Sequence, residues 1–169
     1  FRFAIPTIIA GNSAILKHAS NVQGCGFEIE KCFKKAGFPD NLFCNISVSG
    51  KNTEFVIKDP RISAVTITGS TPAGRSVARV AGENLKKTVL ELGGSDPYLI
   101  LDDANIEKAV HACINGRILN TGQSCISAKR IIATESVYLN VLKKLEQKLS
   151  EKIMGDPFDE VDIGPMVSL

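Results

Sequence analysis

The chain has 169 residues, of which 44% are hydrophobic and 22% are charged. This length fits one ordinary domain or parts of two small ones, and the composition is typical of a globular protein. The 20 basic and 18 acidic residues give a formal net charge of +2. They are spread along the chain without a block of like charges, which argues against a nucleic-acid partner or an anionic membrane surface.

The longest apolar stretch, residues 5–16, contains Pro, Gly and polar residues. It falls short of the ~20 apolar residues that a membrane-spanning helix needs, so we expect no membrane partner.

The five cysteines form no CxxC pair and the chain has two histidines. This pattern argues against a metal site or a disulfide framework and favours a reducing, cytoplasmic location. Because the chain begins with Phe1 and ends without a polar tail, we expect an internal fragment of a longer protein.

Short β-type runs alternate with longer helical patterns, separated by Gly, Pro and Asn. In chain order we predict strand 13–17, helix 22–36, strand 42–47, helix 52–58, strand 63–68, helix 73–84, strand 88–92, strand 98–101, helix 106–118, a loop at 120–124, strand 130–134 and helix 137–153. The repeated order of strand, helix and strand predicts an α/β fold with a parallel sheet and crossover helices. A turn-rich segment follows residue 92, so we predict two domains, 1–92 and 93–169.

Cys125 differs from the other four cysteines in its surroundings. Cys25, Cys32, Cys44 and Cys113 lie in predicted helices or an apolar strand, where we expect a buried thiol that acts as a small hydrophobe. Cys125 instead ends the polar segment Asn-Thr-Gly-Gln-Ser, a loop that can present a thiol and use free backbone N–H groups to stabilise a thiolate or an oxyanion. The residues alone leave open a structural role for this cysteine.

A cysteine nucleophile usually needs a basic partner. His111 lies within a predicted helix and His18 directly follows a strand, so a Cys-His pair is unsupported. Glu91 is a better candidate, because we expect its carboxylate at the end of a buried apolar strand before two glycines. The alternative is that Glu91 only pairs with a lysine or caps a helix.

The segment Thr68-Gly69-Ser70-Thr71 joins a predicted strand to a predicted helix. Phosphate groups often bind at such a helix N-terminus, although this segment is not a GxGxxG fingerprint. A plain helix cap by Ser70 or Thr71 is the alternative interpretation.

Four ordered motifs together resemble the aldehyde dehydrogenase superfamily. They are Gly-Asn-Ser-Ala-Ile-Leu-Lys at 11–17, Thr-Gly-Ser at 68–70, Val-Leu-Glu-Leu-Gly-Gly-Ser-Asp-Pro at 89–97 and Asn-Thr-Gly-Gln-Ser-Cys at 120–125. The resemblance covers essentially the whole chain. It implies a Rossmann-like cofactor domain in residues 1–92 and the first part of a catalytic α/β domain in residues 93–169.

The resemblance also implies a mechanism and its residues. Cys125 would attack the aldehyde carbon, and its backbone N–H would help to hold the oxyanion. After hydride transfer to NAD or NADP, Glu91 would activate the water that hydrolyses the thioester. The cofactor side would be formed by Lys17 at the adenine ribose, by Gly69 and Ser70 at the pyrophosphate, and by Leu92 and Gly93 after the general base.

Similarity to family members at individual positions implies cofactor and substrate preferences. Many NAD-preferring relatives carry a Glu at the position of Ser20, which would not repel the 2′-phosphate of NADP. The run after Lys17 and the loop before Cys125 look similar to succinate-semialdehyde dehydrogenases. Arg2 matches a position that faces the distal carboxylate of such a substrate, for which a guanidinium is well suited; an ordinary helix-surface Arg is the alternative. The family further implies a homo-oligomeric parent.

Two other functions remain open. A CoA-acylating dehydrogenase would pass the thioester to CoA, but relatives of that kind usually lack the base that Glu91 would provide. The chain could also be a non-catalytic nucleotide-binding fragment, because family segments for the oxyanion Asn and the nicotinamide ribose are expected outside residues 1–169. We therefore expect little turnover from the isolated chain.

Overall fold

The computed structural model describes residues 1–168. The chain forms two compact units, Phe1–Glu91 and Leu92–Leu169. The helices are α1 (Ala4–Ile9), α2 (Gln23–Lys35), α3 (Thr53–Lys58), α4 (Thr71–Glu83), α5 (Ile106–Ile118) and α6 (Glu135–Ser150). The strands are β1 (Ala14–Lys17), β2 (Phe43–Ile46), β3 (Ala64–Thr68), β4 (Lys87–Glu91), β5 (Pro97–Ile100) and β6 (Arg130–Ala133). No helix in this described part is long and apolar enough to cross a membrane.

The strands pair in parallel, which confirms the predicted α/β class. β1 pairs with β2, β3 with β4 and β5 with β6. Among the described residues they form three two-stranded sheets, β1-β2 and β3-β4 in the first unit and β5-β6 in the second. Each crossover helix joins two neighbouring strands, but β2 and β3 are not hydrogen-bonded to each other. A repeated strand-helix-strand pattern therefore established parallel pairing without establishing which pairs continue into a larger sheet.

The first unit has two small cores, one beside each sheet. Phe33 of α2 stacks on Phe43 of β2 with ring centroids 4.5 Å apart, and both are buried together with Ala4 and Ala14. Beside the second sheet, a separate cluster contains Ile57, Val80 and Ala81. Apolar side chains at helical spacing on α2 and α4 thus cover the two strand pairs.

The second unit has a single larger core between its sheet and two helices. Val110, Cys113 and Ile114 of α5 pack with Ile100 of β5 and Val141 of α6. Asn105 caps α5 by accepting a hydrogen bond from the Lys108 N–H at 3.1 Å. The predicted and observed bounds of α5 coincide, because this cap and the apolar spacing of the helix agree.

Proline accounts for one helix without a predicted counterpart and for one helix that begins earlier than predicted. α1 was not predicted, since Pro6 interrupts an otherwise apolar stretch. Pro6 is the third residue of this helix, where a backbone N–H has no partner within the helix and its loss costs no hydrogen bond. For the same reason α4 begins at Thr71, two residues before the predicted start, with Pro72 in its first turn.

Candidate active site

Cys125 lies at the corner of a tight turn in the second unit. The Ser127 N–H donates to the Ser124 carbonyl oxygen at 3.2 Å, so that Cys125 and Ile126 occupy the two central positions. Both of these residues are exposed. Cys113, by contrast, is buried in α5, and burial raises the pKa of its thiol. The turn therefore presents Cys125 to an incoming molecule, whereas the fold shields Cys113. Cys25 and Cys32 are also exposed, so the prediction that they are buried thiols is wrong.

The segment that leads to Cys125 has an unusual backbone. Asn120, Thr121 and Gly122 have φ angles of 52°, 59° and 72°, so three consecutive residues adopt the left-handed conformation. This conformation is rare for a β-branched residue such as Thr121 and costs on the order of 1–3 kcal/mol. Strained backbone of this kind concentrates at functional sites, where the surrounding structure holds it in place.

Three contacts within the second unit hold this strained segment. Arg117 Nη1 donates to the Gly122 carbonyl oxygen at 3.1 Å. Thr121 Oγ1 donates to the Gly164 carbonyl oxygen at 3.3 Å, and the Val167 N–H donates to Gln123 Oε1 at 3.0 Å. Sequence reasoning missed Arg117, whose only sequence signal is its position at the end of α5 shortly before the loop.

The glycine-rich segment after Glu91 approaches the Cys125 turn. A Cβ atom added to Gly94 would lie 3.6 Å from the Cys125 carbonyl oxygen. Lys129 Nζ donates to the Gly94 carbonyl oxygen, and Arg130 Nε donates to that of Ser95 at 2.9 Å. The two motifs of this unit, 92–97 and 120–125, thus meet in space. Within this segment Leu92 is half-buried and lies outside β4, one residue beyond the observed end of the strand, while Gly93 is exposed.

Glu91 and Gly69 lie side by side at the carboxyl ends of β3 and β4. Glu91 is paired in register with Thr68, and its carbonyl oxygen accepts a hydrogen bond from the Gly69 N–H at 3.0 Å. The prediction of a buried-strand carboxylate is wrong, because Glu91 and all other residues of β4 are exposed. Within residues 1–168, β4 is hydrogen-bonded to one other strand, β3. The carboxylate therefore stands at an open edge beside the strand-to-helix turn.

The turn from β3 to α4 combines helix capping with free space. Ser70 caps α4, since its Oγ accepts a hydrogen bond from the Ala73 N–H at 3.4 Å. Pro72 has no N–H, so the Thr71 N–H is the remaining donor of the first three helical residues. Gly69 has neither a positive φ nor a crowded Cβ position, its nearest neighbours being Ile67 atoms at 3.6 Å. Its missing side chain is thus not required by the fold and leaves room for close approach by a ligand.

Lys17 and Ser20 lie at the carboxyl end of the other strand pair in the first unit. Lys17 is the last residue of β1, is half-buried, and donates through Nζ to the His18 carbonyl oxygen at 2.7 Å. Ser20 is exposed and begins a single 3-10 turn, Ser20–Val22. Arg2 is also exposed and lies just before α1, in a turn rather than on the helix surface.

Comparison with known proteins agrees with these motifs and their geometry. The sequence profile of the aldehyde dehydrogenase family matches residues 2–169, and the chain belongs to that family. The chain is 45% identical over 168 residues to succinate-semialdehyde dehydrogenase [NADP(+)] 1 of Mycobacterium ulcerans. It is 42% identical over the same length to succinate-semialdehyde dehydrogenase [NADP(+)] of Mycobacterium leprae.

Solved structures show the same similarity. The fold superimposes on the structure of Gox0499 with a TM-score of 0.95 at 44% identity, covering 99% of this chain and 37% of that one. It superimposes on succinic semialdehyde dehydrogenase from Streptococcus pyogenes, solved in complex with NADP+, with a TM-score of 0.93 at 37% identity and the same coverage. The curated relatives above are likewise matched over 99% of this chain and 37% of their own length.

Proposed function

We propose that this chain is part of an NAD(P)-dependent aldehyde dehydrogenase that oxidises a small semialdehyde, succinic semialdehyde or a similar compound, to its carboxylic acid. The main support is the exposed Cys125 thiol on a turn that follows three left-handed residues. Segments of this kind are maintained at a cost in stability, which a purely structural loop would not require. The relatives named above as succinate-semialdehyde dehydrogenases support the substrate class.

In this proposal Cys125 acts as a covalent nucleophile. Its thiolate adds to the aldehyde carbon, and the resulting thiohemiacetal oxyanion accepts a hydrogen bond from the Cys125 backbone N–H. A nicotinamide cofactor held by Lys17, Gly69 and Ser70 would supply the two-electron oxidation as the hydride acceptor. Cys125 is then left as a thioester, which splits one difficult oxidation into two easier steps.

Glu91 completes the reaction as a general base. It takes a proton from water, the hydroxide oxygen adds to the thioester carbon, and the carbon–sulfur bond breaks to release the acid and the Cys125 thiolate. Its open position at the strand end supports this role, because water can reach the carboxylate there. Hydrolysis needs a carboxylate that accepts a proton from water, whereas transfer of the acyl group to CoA does not use water.

The chain's residues fit a dinucleotide on the cofactor side. Gly69 leaves room beside α4, where the Thr71 N–H and the positive end of the helix favour a phosphate group. The Ser70 hydroxyl accepts from Ala73 and keeps its own proton free to donate to a phosphate oxygen. Lys17 is proposed at the adenine ribose and Ser20 near its 2′ position. Leu92 and Gly93 are proposed on the nicotinamide side.

Two finer proposals concern substrate and assembly. Arg2 would form a bidentate pair with the distal carboxylate of the semialdehyde, and its exposed position before α1 leaves its guanidinium accessible. We further propose a homo-oligomeric parent, on the family resemblance, and a cytoplasmic location, which is supported by free cysteines at all five positions.

The decisive experiment measures NAD(P)H formation by the full-length protein that contains this chain. Succinic semialdehyde and butyraldehyde are compared as substrates, each with NAD and with NADP. We expect Cys125→Ser to lower kcat on the order of 10⁴-fold or more. Cys32→Ser, at another exposed cysteine, should leave the rate unchanged. Equal turnover in both variants would refute the mechanism.

The role of Glu91 has its own signature. Glu91→Gln should still release one equivalent of NAD(P)H per site in a burst and then stop, because the thioester forms but is not hydrolysed. If added CoA restored turnover in Glu91→Gln and also increased it in the wild type, the acylating reaction would be favoured instead.

For Arg2→Gln we expect KM for succinic semialdehyde to rise about tenfold, the effect of one charged hydrogen bond, with KM for butyraldehyde unchanged.

A further inference from the structure

A buried polar cluster in the first unit includes His18, the residue that follows Lys17. His18 is only 8% exposed, and among the described residues its Nε2 is a buried side-chain atom without a hydrogen-bond partner. Both polar atoms of the Asn45 side chain, Oδ1 and Nδ2, are in the same situation. Buried polar atoms are nearly always satisfied in folded proteins, so these three atoms call for a partner that the present side-chain orientations do not provide.

Gly26 of α2 brings His18 and Asn45 together. A Cβ atom added to Gly26 would lie 2.7 Å from Asn45 Oδ1 and 2.7 Å from His18 Cδ2. Two atoms at that distance from one point are at most twice that distance apart, and Nε2 is bonded directly to Cδ2. The imidazole and the amide therefore lie side by side over a position where only glycine fits.

The hydrogen-bonding capacities of the two side chains are complementary. His18 Nδ1 lies 2.8 Å from the Ala19 carbonyl oxygen, which can only accept, so Nδ1 carries the proton. In the neutral imidazole Nε2 is then an acceptor. The Asn45 amide is nearly symmetric in shape, and a half-turn about its Cβ–Cγ bond brings its N–H₂ group to the face now presented by Oδ1.

The cluster is connected to Lys17 through His18. Asn45 is paired in register with Leu16, and Lys17 and His18 follow at the end of β1. Lys17 Nζ donates to the His18 carbonyl oxygen at 2.7 Å. The buried ring fixes the backbone of His18 and with it the direction of this carbonyl, which in turn restricts where the Lys17 ammonium group lies.

We propose that His18 and Asn45 form a buried hydrogen-bonded pair over Gly26, and that His18 is thereby a positioning residue for Lys17 in cofactor binding. The pair itself is independent of the reaction, whereas its consequence for Lys17 rests on the proposed function. Disruption of the pair should weaken NADP binding without slowing the chemical step, because neither side chain contacts the reacting atoms in this scheme.

The first test is a double-mutant cycle on the full-length protein, read by urea unfolding. If the pair exists, His18→Ala and Asn45→Ala each lower the free energy of unfolding, and the double variant loses clearly less than the sum of the two single losses. Strictly additive losses would overturn the pair. This outcome does not depend on any enzymatic activity, so it is separate from a failure of the proposed function.

The second test measures the NADP dissociation constant directly by titration calorimetry, together with kcat and KM. We expect His18→Ala and Gly26→Ala to raise Kd about tenfold, as for the loss of one hydrogen bond, with kcat nearly unchanged. Gly24→Ala, in the same helix with nothing within 4 Å of the added Cβ, should leave Kd unchanged.

Ile57→Ala controls for destabilisation alone, because Ile57 is buried in the other core of the same unit. If it weakens NADP binding as much as His18→Ala does at equal stability, His18 has only a structural role. An unchanged Kd in both His18→Ala and Gly26→Ala would likewise overturn the assignment to Lys17.

Discussion

Arg117 Nη1 donates to the carbonyl oxygen of Gly122 at 3.1 Å, joining the last turn of α5 to the last of three left-handed residues before the Cys125 turn. The Arg117 side chain and carbonyl group also occupy the space beside the Gly122 Cα atom. Glycine is required at position 122 for two reasons. Its φ is 72°, and Arg117 atoms leave no room for a Cβ atom.

Gly122→Ala should lower the free energy of unfolding considerably more than the same substitution at another glycine in the left-handed conformation. An added Cβ would lie 2.8 Å from Arg117 Nη1 and 2.9 Å from the Arg117 carbonyl oxygen. We expect a loss of about 3 kcal/mol or more in the free energy of unfolding, combining left-handed strain with overpacking, and a large fall in kcat. Urea unfolding and NAD(P)H assays check this.

Gly11→Ala is the matched control for that prediction. Gly11 has a φ of 83°, but nothing lies within 4 Å of an added Cβ. The substitution should therefore cost only the left-handed strain, about 1–2 kcal/mol, and leave kcat unchanged. Equal losses in the two variants would show that the Arg117 contact does not matter.

Two serine substitutions should have opposite effects on stability. Ser127 is 1% exposed and its Oγ has no hydrogen-bond partner among the described residues. Ser127→Ala should increase the free energy of unfolding by about 1 kcal/mol, since an unsatisfied buried hydroxyl is removed. Ser70→Ala should decrease it by about 1 kcal/mol through loss of the α4 cap. A loss of stability in Ser127→Ala would mean that its hydroxyl has a partner.

Acid should remove a stabilising contribution from Asp102 in the second unit. Hydrogen bonds from the hydroxyl groups of Ser136 and, secondly, Thr134 lower the pKa of this carboxyl group. A lowered pKa in the folded state stabilises the protein above the unfolded pKa of about 3.9, and the contribution disappears as pH falls through the folded value.

Ser136→Ala should therefore raise the pKa of Asp102 toward its unfolded value. The variant should be less stable than wild type at pH 7, with a difference that shrinks as the solution becomes strongly acidic. Carboxyl titration by NMR and urea unfolding at several pH values measure both effects. A pKa that does not rise in Ser136→Ala would contradict the assigned hydrogen bond.

The thiols should differ in their rate of alkylation. Cys25, Cys32 and Cys125 are exposed, whereas Cys113 is buried and burial raises its pKa. Iodoacetamide should modify the three exposed cysteines in the folded protein and reach Cys113 only after unfolding. Mass spectrometry of peptides follows each site. Saturating aldehyde and cofactor should protect Cys125 while Cys32 continues to react; protection of both or neither would contradict the role of Cys125.

The sequence was a good guide to local structure. Apolar spacing and an Asn cap gave the bounds of α5, and β-branched runs predicted β3 within one residue. Prediction failed where the effect of a residue depends on its position within an element or on what packs against that element. Pro6 concealed α1 because proline disrupts a helix interior yet fits its first turn. β4 looked like a buried strand from its apolar residues, but burial depends on what packs on a strand.

What the sequence alone determined is the order of chemically distinct motifs. The loop thiol, the strand-end carboxylate and the glycine turn are readable because each needs particular residue types at short spacing. Only the tertiary structure decided which distant residues meet. The contacts of Glu91 with Gly69, of Arg117 with Gly122 and of His18 with Gly26 arise from strand pairing, loop closure and helix packing. Contacts of this kind depend on how the backbone folds in three dimensions, and short motifs carry no record of them.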